Sequence, residues 1–522
     1  MYDVADEGAG ADRVRRLLGK RALQSTWPWL IVLTLVGIGV AMRTTHLGQW
    51  PSGFRWTVEF DLANAARTLF LRLNTHDAAP WQEYWLDAGI GRFHEPPVLQ
   101  TLTALTYLPD GIERPWTSVI FTVIFWTLGA LLAAAAVRAL TGLWGAMLTL
   151  AYLLLAPFAV AVSQSFQVEA LLFLGFAAVV WYASTRTVTE RRAFLGATTL
   201  GALALLAKPA ILLPYVAAVF VFSATRENGL RDPRKLIAVV ALIVLSAVPS
   251  VAYAAIWLLD KARINMIPGL LTSTGFYAGW SDNVIRVVGF IPLVGGILGF
   301  LLTPRLRAIG FLFLLSYLGY SAVFTWHTMT HDYGQVPLLL IVAIGLGGLG
   351  DAMARWSMRS PMRKVTASVG IAVAATLTAV SAPADLLGRT PWRYPDQERL
   401  ATIGSLLGAG ERVIAFSRNY GLPLMYYGKL IVSAWPTRSD IDFEAQRGLP
   451  SMLAEVRLQR MIGDTLAEYF VVTLPARSDA ELIALLECRY KAVLSGPDWQ
   501  VYDLSSAPSD GRLCTSAMPA ER

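Results

Sequence analysis

Residues 43–115 read RTTHLGQWPSGFRWTVEFDLANAARTLFLRLNTHDAAPWQEYWLDAGIGRFHEPPVLQTLTALTYLPDGIERP, a polar and aromatic stretch between two long apolar runs. A connection of this size is normally either functional or disordered. Its composition argues against disorder. Phe54, Trp56, Phe60, Phe70, Trp81, Tyr84, Trp85, Phe93 and Tyr107 supply the amphipathic aromatic surface that suits a membrane interface. From Asp61 to Leu73 the apolar residues recur at helical spacing, with Arg67 and Arg72 elsewhere on the wheel. This pattern predicts short helices lying on the outer membrane surface.

Outward from this loop the chain is too apolar for a soluble multidomain protein. Of its 522 residues 55% are hydrophobic and 16% charged, and the mean hydropathy is +0.49. These values describe a polytopic membrane protein. The net charge of +7 does not imply nucleic acid, because the basic residues sit in short tracts between apolar runs, where they set topology. Cys488 and Cys514 show no metal-ligand spacing, and a disulfide between them is left open. The N-terminal DRVRRLLGKR precedes an apolar run, but no small-residue cleavage pattern follows Met42. Trp27 to Met42 therefore reads as a retained first span.

About eleven runs are long enough to cross a bilayer: 27–43, 116–137, 142–162, 167–184, 193–207, 209–225, 235–258, 284–302, 307–326, 335–354 and 364–382. Lys208-Pro209 interrupts one long apolar stretch, which can be split there or form a buried hairpin. With a cytoplasmic N-terminus, every cytoplasmic segment carries Lys or Arg, whereas the short external segments around Ser163 and His331 carry none. The part after the last span then lies outside the cytoplasm. From about Pro383 the composition becomes that of a soluble domain. Residues 413–416, 469–473 and 499–504 read as strands, and 397–407 and 479–487 as amphipathic helices, which indicates a small α/β domain. The expected division is a helical membrane domain over 1–382 that includes the loop 43–115, an extracytoplasmic α/β domain over 383–505, and a disordered tail over 506–522.

Ionisable residues at the outer edges of spans are costly to bury and are the candidates for chemistry. In the loop they are Glu59, Asp61, Glu83, Asp87, His94 and Glu95, each with the plainer alternative of being solvated or paired with Arg55, Arg67, Arg72 or Arg92. Glu95-Pro96-Pro97 fixes an acid just ahead of an apolar segment, either for chemistry or simply as a helix N-terminus. Gln164, Gln167 and Glu169 open the fourth span. Lys208 can meet an anion or snorkel to the interface. His327, His331, Asp332, Tyr333 and Gln335 open the tenth span, and their spacing fits a structural cluster better than a metal site. The chain has no nucleotide-phosphate loop, GxSxG or HExxH motif.

Four passages carry a resemblance to a family: FDLANAARTL, FHEPPVLQTLTALTYLPDG, SQSFQVEALLFLGF and THDYGQVPLLLIVAIGL. They resemble the GT-C superfamily of integral-membrane glycosyltransferases, in its bacterial branch of protein O-mannosyltransferases and the lipid A aminoarabinose transferase. VIAFSRNYGLPLMYYGKL is similar to the small extracytoplasmic domain such proteins often carry. The resemblance implies a polyprenyl-phosphate-linked sugar donor and a cell-envelope glycan, lipid or protein acceptor. It also implies inverting transfer at the outer face of a bacterial inner membrane.

An acid in the first loop would act as base. By position that acid is Asp61 or Glu59, with Glu95 as a further candidate, and here Glu59-Phe60-Asp61 replaces the family's adjacent Asp-Glu pair. Arg67, Arg92, Lys208, Glu169, His331, Asp332 and Tyr333 are the expected donor-binding residues, and a divalent metal is left open. A transporter or lipid flippase would need two repeated halves broken near the bilayer midplane, whereas the polar residues here gather on one side. A catalytically silent assembly protein on the same fold is the remaining alternative.

Overall fold

The computed structural model describes residues 28–74, 79–88, 95–188, 190–226, 231–257, 266–357, 362, 365, 394, 396–474 and 479–505. The expected span 364–382 apart from residue 365, the tail 506–522, Cys514, Arg92 and His94 all lie outside the described residues.

The helices up to Trp257 are, in chain order, α1 (Pro28–Thr44), α2 (Trp56–Leu73), α3 (Pro80–Asp87), α4 (Val98–Leu105), α5 (Thr117–Leu140), α6 (Leu143–Leu155), α7 (Pro157–Ser163), α8 (Glu169–Thr185), α9 (Arg191–Ala207), α10 (Pro209–Arg226) and α11 (Pro233–Trp257). They are followed by α12 (Thr274–Val288), α13 (Phe290–Leu302), α14 (Pro304–Val323), α15 (Thr325–Thr330), α16 (Val336–Ser357) and α17 (Gln397–Leu407). The rest comprises β1 (Arg412–Phe416), α18 (Leu422–Gly428), β2 (Ile431–Ala434), α19 (Arg438–Gln446), α20 (Ala454–Thr465), β3 (Tyr469–Val472), α21 (Ala480–Arg489), β4 (Lys491–Gly496) and β5 (Trp499–Asp503).

Two compact units result. The described residues of 1–47, 122–164 and 168–388 form one, and those of 48–121, 165–167 and 389–522 form the other. Where the sequence reading grouped the loop with the spans, its contacts group it with the C-terminal residues.

Among the described residues five helices are long and apolar enough to cross a membrane, or up to seven if each bent pair is one span. Lys208 separates α9 from α10, so the apolar stretch splits at the expected Lys208-Pro209, with Pro209 opening α10. The expected span 284–302 is not one straight helix. Its first residues belong to α12, and the chain turns by 84° into α13 at Gly289, whose φ is 79°. A left-handed backbone there suits glycine. α13 and α16 approach so closely that a Cβ on Gly299 would collide with the Gly345 carbonyl, the small-residue packing that holds helices together where the hydrophobic effect cannot.

The third span bends by 58° between α6 and α7. Pro157 has no N–H to offer the Leu153 carbonyl one turn back. Trp126 Nε1 donates to that carbonyl at 2.8 Å, and Arg43 Nη2 adds a longer contact at 3.4 Å. The Arg43 guanidinium, 1% exposed, also donates to the carbonyls of Leu154 (2.7 Å) and Gly39 (2.8 Å) and to Ser163 Oγ (2.6 Å). A buried arginine thus stands in for backbone donors missing at the bend.

The second unit is built on a five-stranded sheet in the order β2-β1-β3-β5-β4. β1 is parallel to β2 and to β3, and β5 is antiparallel to both β3 and β4. The three strands read from the sequence are β1, β3 and β5. Ile414, Phe416, Phe470, Val472, Leu482, Leu486 and Tyr502 form its core. α2 belongs to this unit, and most of its length is buried, more than a helix resting on a membrane surface would be.

Candidate functional site

The sequence-predicted residues fall into two groups, one in each unit. In the second unit, Glu59 and Asp61 lie on α2, and a helix turn of 100° per residue puts them about 200° apart. Glu59 is fully buried. Its carboxylate accepts the Ser52 N–H at 3.0 and 3.2 Å and the Phe166 N–H at 3.2 Å, so it organises backbone.

Asp61 is half-buried on another face of the helix. Thr57, one turn before it, donates to Asn419 Oδ1 at 3.1 Å, and Asn64 donates to the Leu422 carbonyl at 3.3 Å. On the wheel Asp61 lies about 40° from Thr57 and about 60° from Asn64, so it borders the face of α2 that meets residues 419–422.

Arg67 is 3% exposed. Its Nε and Nη2 donate to Glu113 at 2.8 Å, and its Nη1 donates to the Tyr426 carbonyl at 2.8 Å. The guanidinium also lies over the Tyr426 ring, 4.2 Å from its centroid. Glu113 and Tyr426, 46 and 359 residues away, are partners that sequence alone does not show. Glu95 is half-buried, three residues ahead of α4, whose first turn contains no acid. Phe166 is followed by Gln167, fully buried, whose amide oxygen and nitrogen have no hydrogen-bond partner among the described residues.

In the first unit the structure brings together Glu169, Lys208, Tyr333 and the histidines. Lys208 Nζ is 2.8 Å from Glu169 Oε1 and 4.5 Å from the centroid of the Tyr333 ring. Glu169 is 1% exposed, and its second oxygen has no hydrogen-bond partner among the described residues. Lys208 is thus an inward-facing ion-pair partner, against the snorkelling alternative. Asp332 pairs with Arg286 at 3.2 Å.

His327 and His331 stack with ring centroids 4.8 Å apart, and Tyr333 meets both edge-on. His327 Nδ1 is 2.7 Å from Tyr320 Oη, and His331 Nδ1 is 2.7 Å from Thr330 Oγ1. Among the described residues no three His, Cys, Asp or Glu side chains are grouped to hold a metal ion.

Residues 94–253, which include Glu169 and Lys208, match the family described as dolichyl-phosphate-mannose-protein mannosyltransferase. No curated protein matches this chain by sequence. Among solved structures, ArnT from Cupriavidus metallidurans bound to undecaprenyl phosphate superposes with a TM-score of 0.54 at 15% identity, covering 90% of this chain and 97% of that one. The archaeal oligosaccharyltransferase AglB from Archaeoglobus fulgidus, in complex with an inhibitory peptide and a dolichol-phosphate, gives 0.54 at 13% identity over 90% of this chain and 73% of that one. A complex of the Archaeoglobus fulgidus oligosaccharyltransferase with Zn and sulfate gives 0.54 at 12% identity over 91% and 73%. With its apolar helices and these likenesses, the chain has the fold that ArnT and AglB share, and a segment of it matches a mannosyltransferase family.

Proposed function

We propose that the protein transfers a sugar from a polyprenyl-phosphate-linked donor to an acceptor hydroxyl at the outer face of a bacterial inner membrane, with inversion at the anomeric carbon. The observation that carries this reading is the buried Lys208–Glu169 pair beneath Tyr333, inside the segment that matches the mannosyltransferase family. A cation kept among apolar helices has a use when the leaving group is a lipid phosphate. Undecaprenyl phosphate in ArnT and dolichol-phosphate in AglB, both of the same fold, support that choice of leaving group.

In the reaction the acceptor oxygen attacks the anomeric carbon from the side opposite the phosphate. Asp61 takes the acceptor's proton as the new bond forms. The bond between the anomeric carbon and the phosphate oxygen breaks, and its electron pair leaves with the polyprenyl phosphate. Lys208 neutralises the charge that develops on that phosphate. Asp61 is assigned as base because Glu59 is already engaged by backbone N–H groups. Arg67 and Lys208 are each ion-paired, and Lys208 is the cation assigned to the phosphate because it lies inside the segment that matches the mannosyltransferase family. The N-terminus is cytoplasmic and the sheet domain extracytoplasmic in this reading, following the distribution of Lys and Arg.

The test is incubation of the purified protein with a panel of polyprenyl-phosphate sugars, following release of polyprenyl phosphate. Release that depends on Asp61 is expected. No release from any donor, by a folded protein supplied with envelope extract as acceptor, would sink the reading.

A further inference from the structure

The sheet of the second unit has a topological switch. From β1 the chain passes by α18 to β2 on one side, and β3 lies on the other, all three parallel. In such sheets the crevice beyond the carboxyl ends of the two diverging strands is where ligands bind. Here those ends are Ser417 and Thr473, whose hydroxyls are 2.8 Å apart and buried.

Asn419 (φ 52°, ψ 42°) and Tyr420 (φ 57°, ψ 26°) follow in the left-handed region, and then Gly421 (φ 69°). L residues rarely adopt this conformation, and it persists where the surroundings fix it. Thr57 holds Asn419, Asn64 holds the Leu422 carbonyl, and Tyr420 Oη donates to Asp440 at 3.1 Å. Burial and the Asp440 carboxylate push the Tyr420 phenol up to about 12, so it remains a donor at neutral pH.

The strained turn carries two side chains outward. Arg418 is exposed and has no carboxylate partner among the described residues, and the Tyr420 residue is 44% exposed. An aromatic ring pinned at its hydroxyl offers a flat face to a sugar ring, and a neighbouring guanidinium offers a fork to a carboxylate or phosphate. Both stand on the loop that meets the face of α2 bordered by Asp61.

We propose that residues 417–421 form an acceptor-binding element for an acidic glycan, with a sugar ring on Tyr420 and its acidic group on Arg418. The assignment of this element to the acceptor rests on the transferase reading; the binding itself does not. An acidic peptide would satisfy Arg418 but has no ring for Tyr420, so the glycan is the favoured ligand.

Equilibrium binding of a fluorescent glucuronic acid–glucose disaccharide to the full-length protein in nanodiscs, without donor, tests it. The all-glucose disaccharide and a glutamate-containing peptide serve as the other probes. The acidic disaccharide should bind at least about tenfold more tightly than the neutral one. Arg418→Ala should erase that difference while leaving the neutral affinity unchanged, and Tyr420→Gly, which suits the left-handed backbone, should weaken both. Equal affinity for the two disaccharides, an unchanged difference in Arg418→Ala, or tighter binding of the peptide would each overturn the proposal. Because no donor is present, failed polyprenyl phosphate release would count against the transferase reading alone.

Discussion

Glu59 accepts the backbone N–H of Phe166 across 107 residues of sequence, at 3.2 Å and with no solvent exposure. Two residues on, Asp61 lies on a different face of the same helix. In the proposed mechanism the pair divides structure from chemistry within a single turn, and that division can be measured. Asp61→Asn should lower turnover by about 10²–10⁴-fold with little change in thermal unfolding. Glu59→Gln presents an amide nitrogen to backbone donors in a buried site and should cost about 1–3 kcal/mol of stability. A stable but inactive Glu59→Gln beside an active Asp61→Asn would exchange the two roles.

Arg67 and Glu113 should behave as a clamp. Removing one partner of a buried pair typically costs about 3–5 kcal/mol, and lysine cannot reproduce the forked contact. Arg67→Lys and Glu113→Gln should both lower the unfolding midpoint of the purified protein. Their losses should fail to add in the double variant, because each removes the same interaction. Donor affinity in the surviving folded fraction should be unchanged.

Lys208→Ala alone would strand the Glu169 carboxylate and report misfolding as much as function. The informative variant is Lys208→Met combined with Glu169→Leu, which removes both charges from the buried pair. Such a protein should insert and unfold like wild type yet bind polyprenyl phosphate at least about tenfold more weakly, the weight of one charge-assisted contact. Wild-type affinity in this variant would remove Lys208 from the phosphate site.

Orientation is open to a direct measurement at two exposed positions. Ser439→Cys should react with an impermeant thiol reagent in intact spheroplasts. Glu190→Cys, between α8 and α9, should react only after permeabilisation. The reverse pattern would place the sheet domain in the cytoplasm.

The sequence disclosed what depends on neighbours along the chain. Lys208-Pro209 announced a break because proline cannot continue the helix, and the apolar cores of β1, β3 and β5 announced buried strands. β2 is a four-residue strand, half-buried throughout, and β4 is mostly solvent-exposed; their short apolar runs, Leu430-Ile431-Val432 and Ala492-Val493-Leu494, are not among the three strands read from the sequence. The bend at Gly289 was hidden because the residues on both sides, Val287-Val288 and Phe290-Ile291, are equally apolar. Arg67 looked available for a phosphate because a cation is visible in a sequence and its distant partner is not. The Glu59–Asp61 distinction was legible as a helical angle, but not which of the two would find backbone donors.

The position of Arg43 has a consequence for how the protein is made. Its bonding partners at Leu153, Leu154 and Ser163 are synthesised 110 to 120 residues later. Until the third span arrives, only the Gly39 carbonyl of its own helix is there to accept from a guanidinium drawn into lipid, a state that costs several kcal/mol. The first span must therefore wait at the water interface with its charged end still hydrated. It seats only when the bend at Pro157 emerges, so the order of membrane assembly is dictated by the second arrival and not by the first.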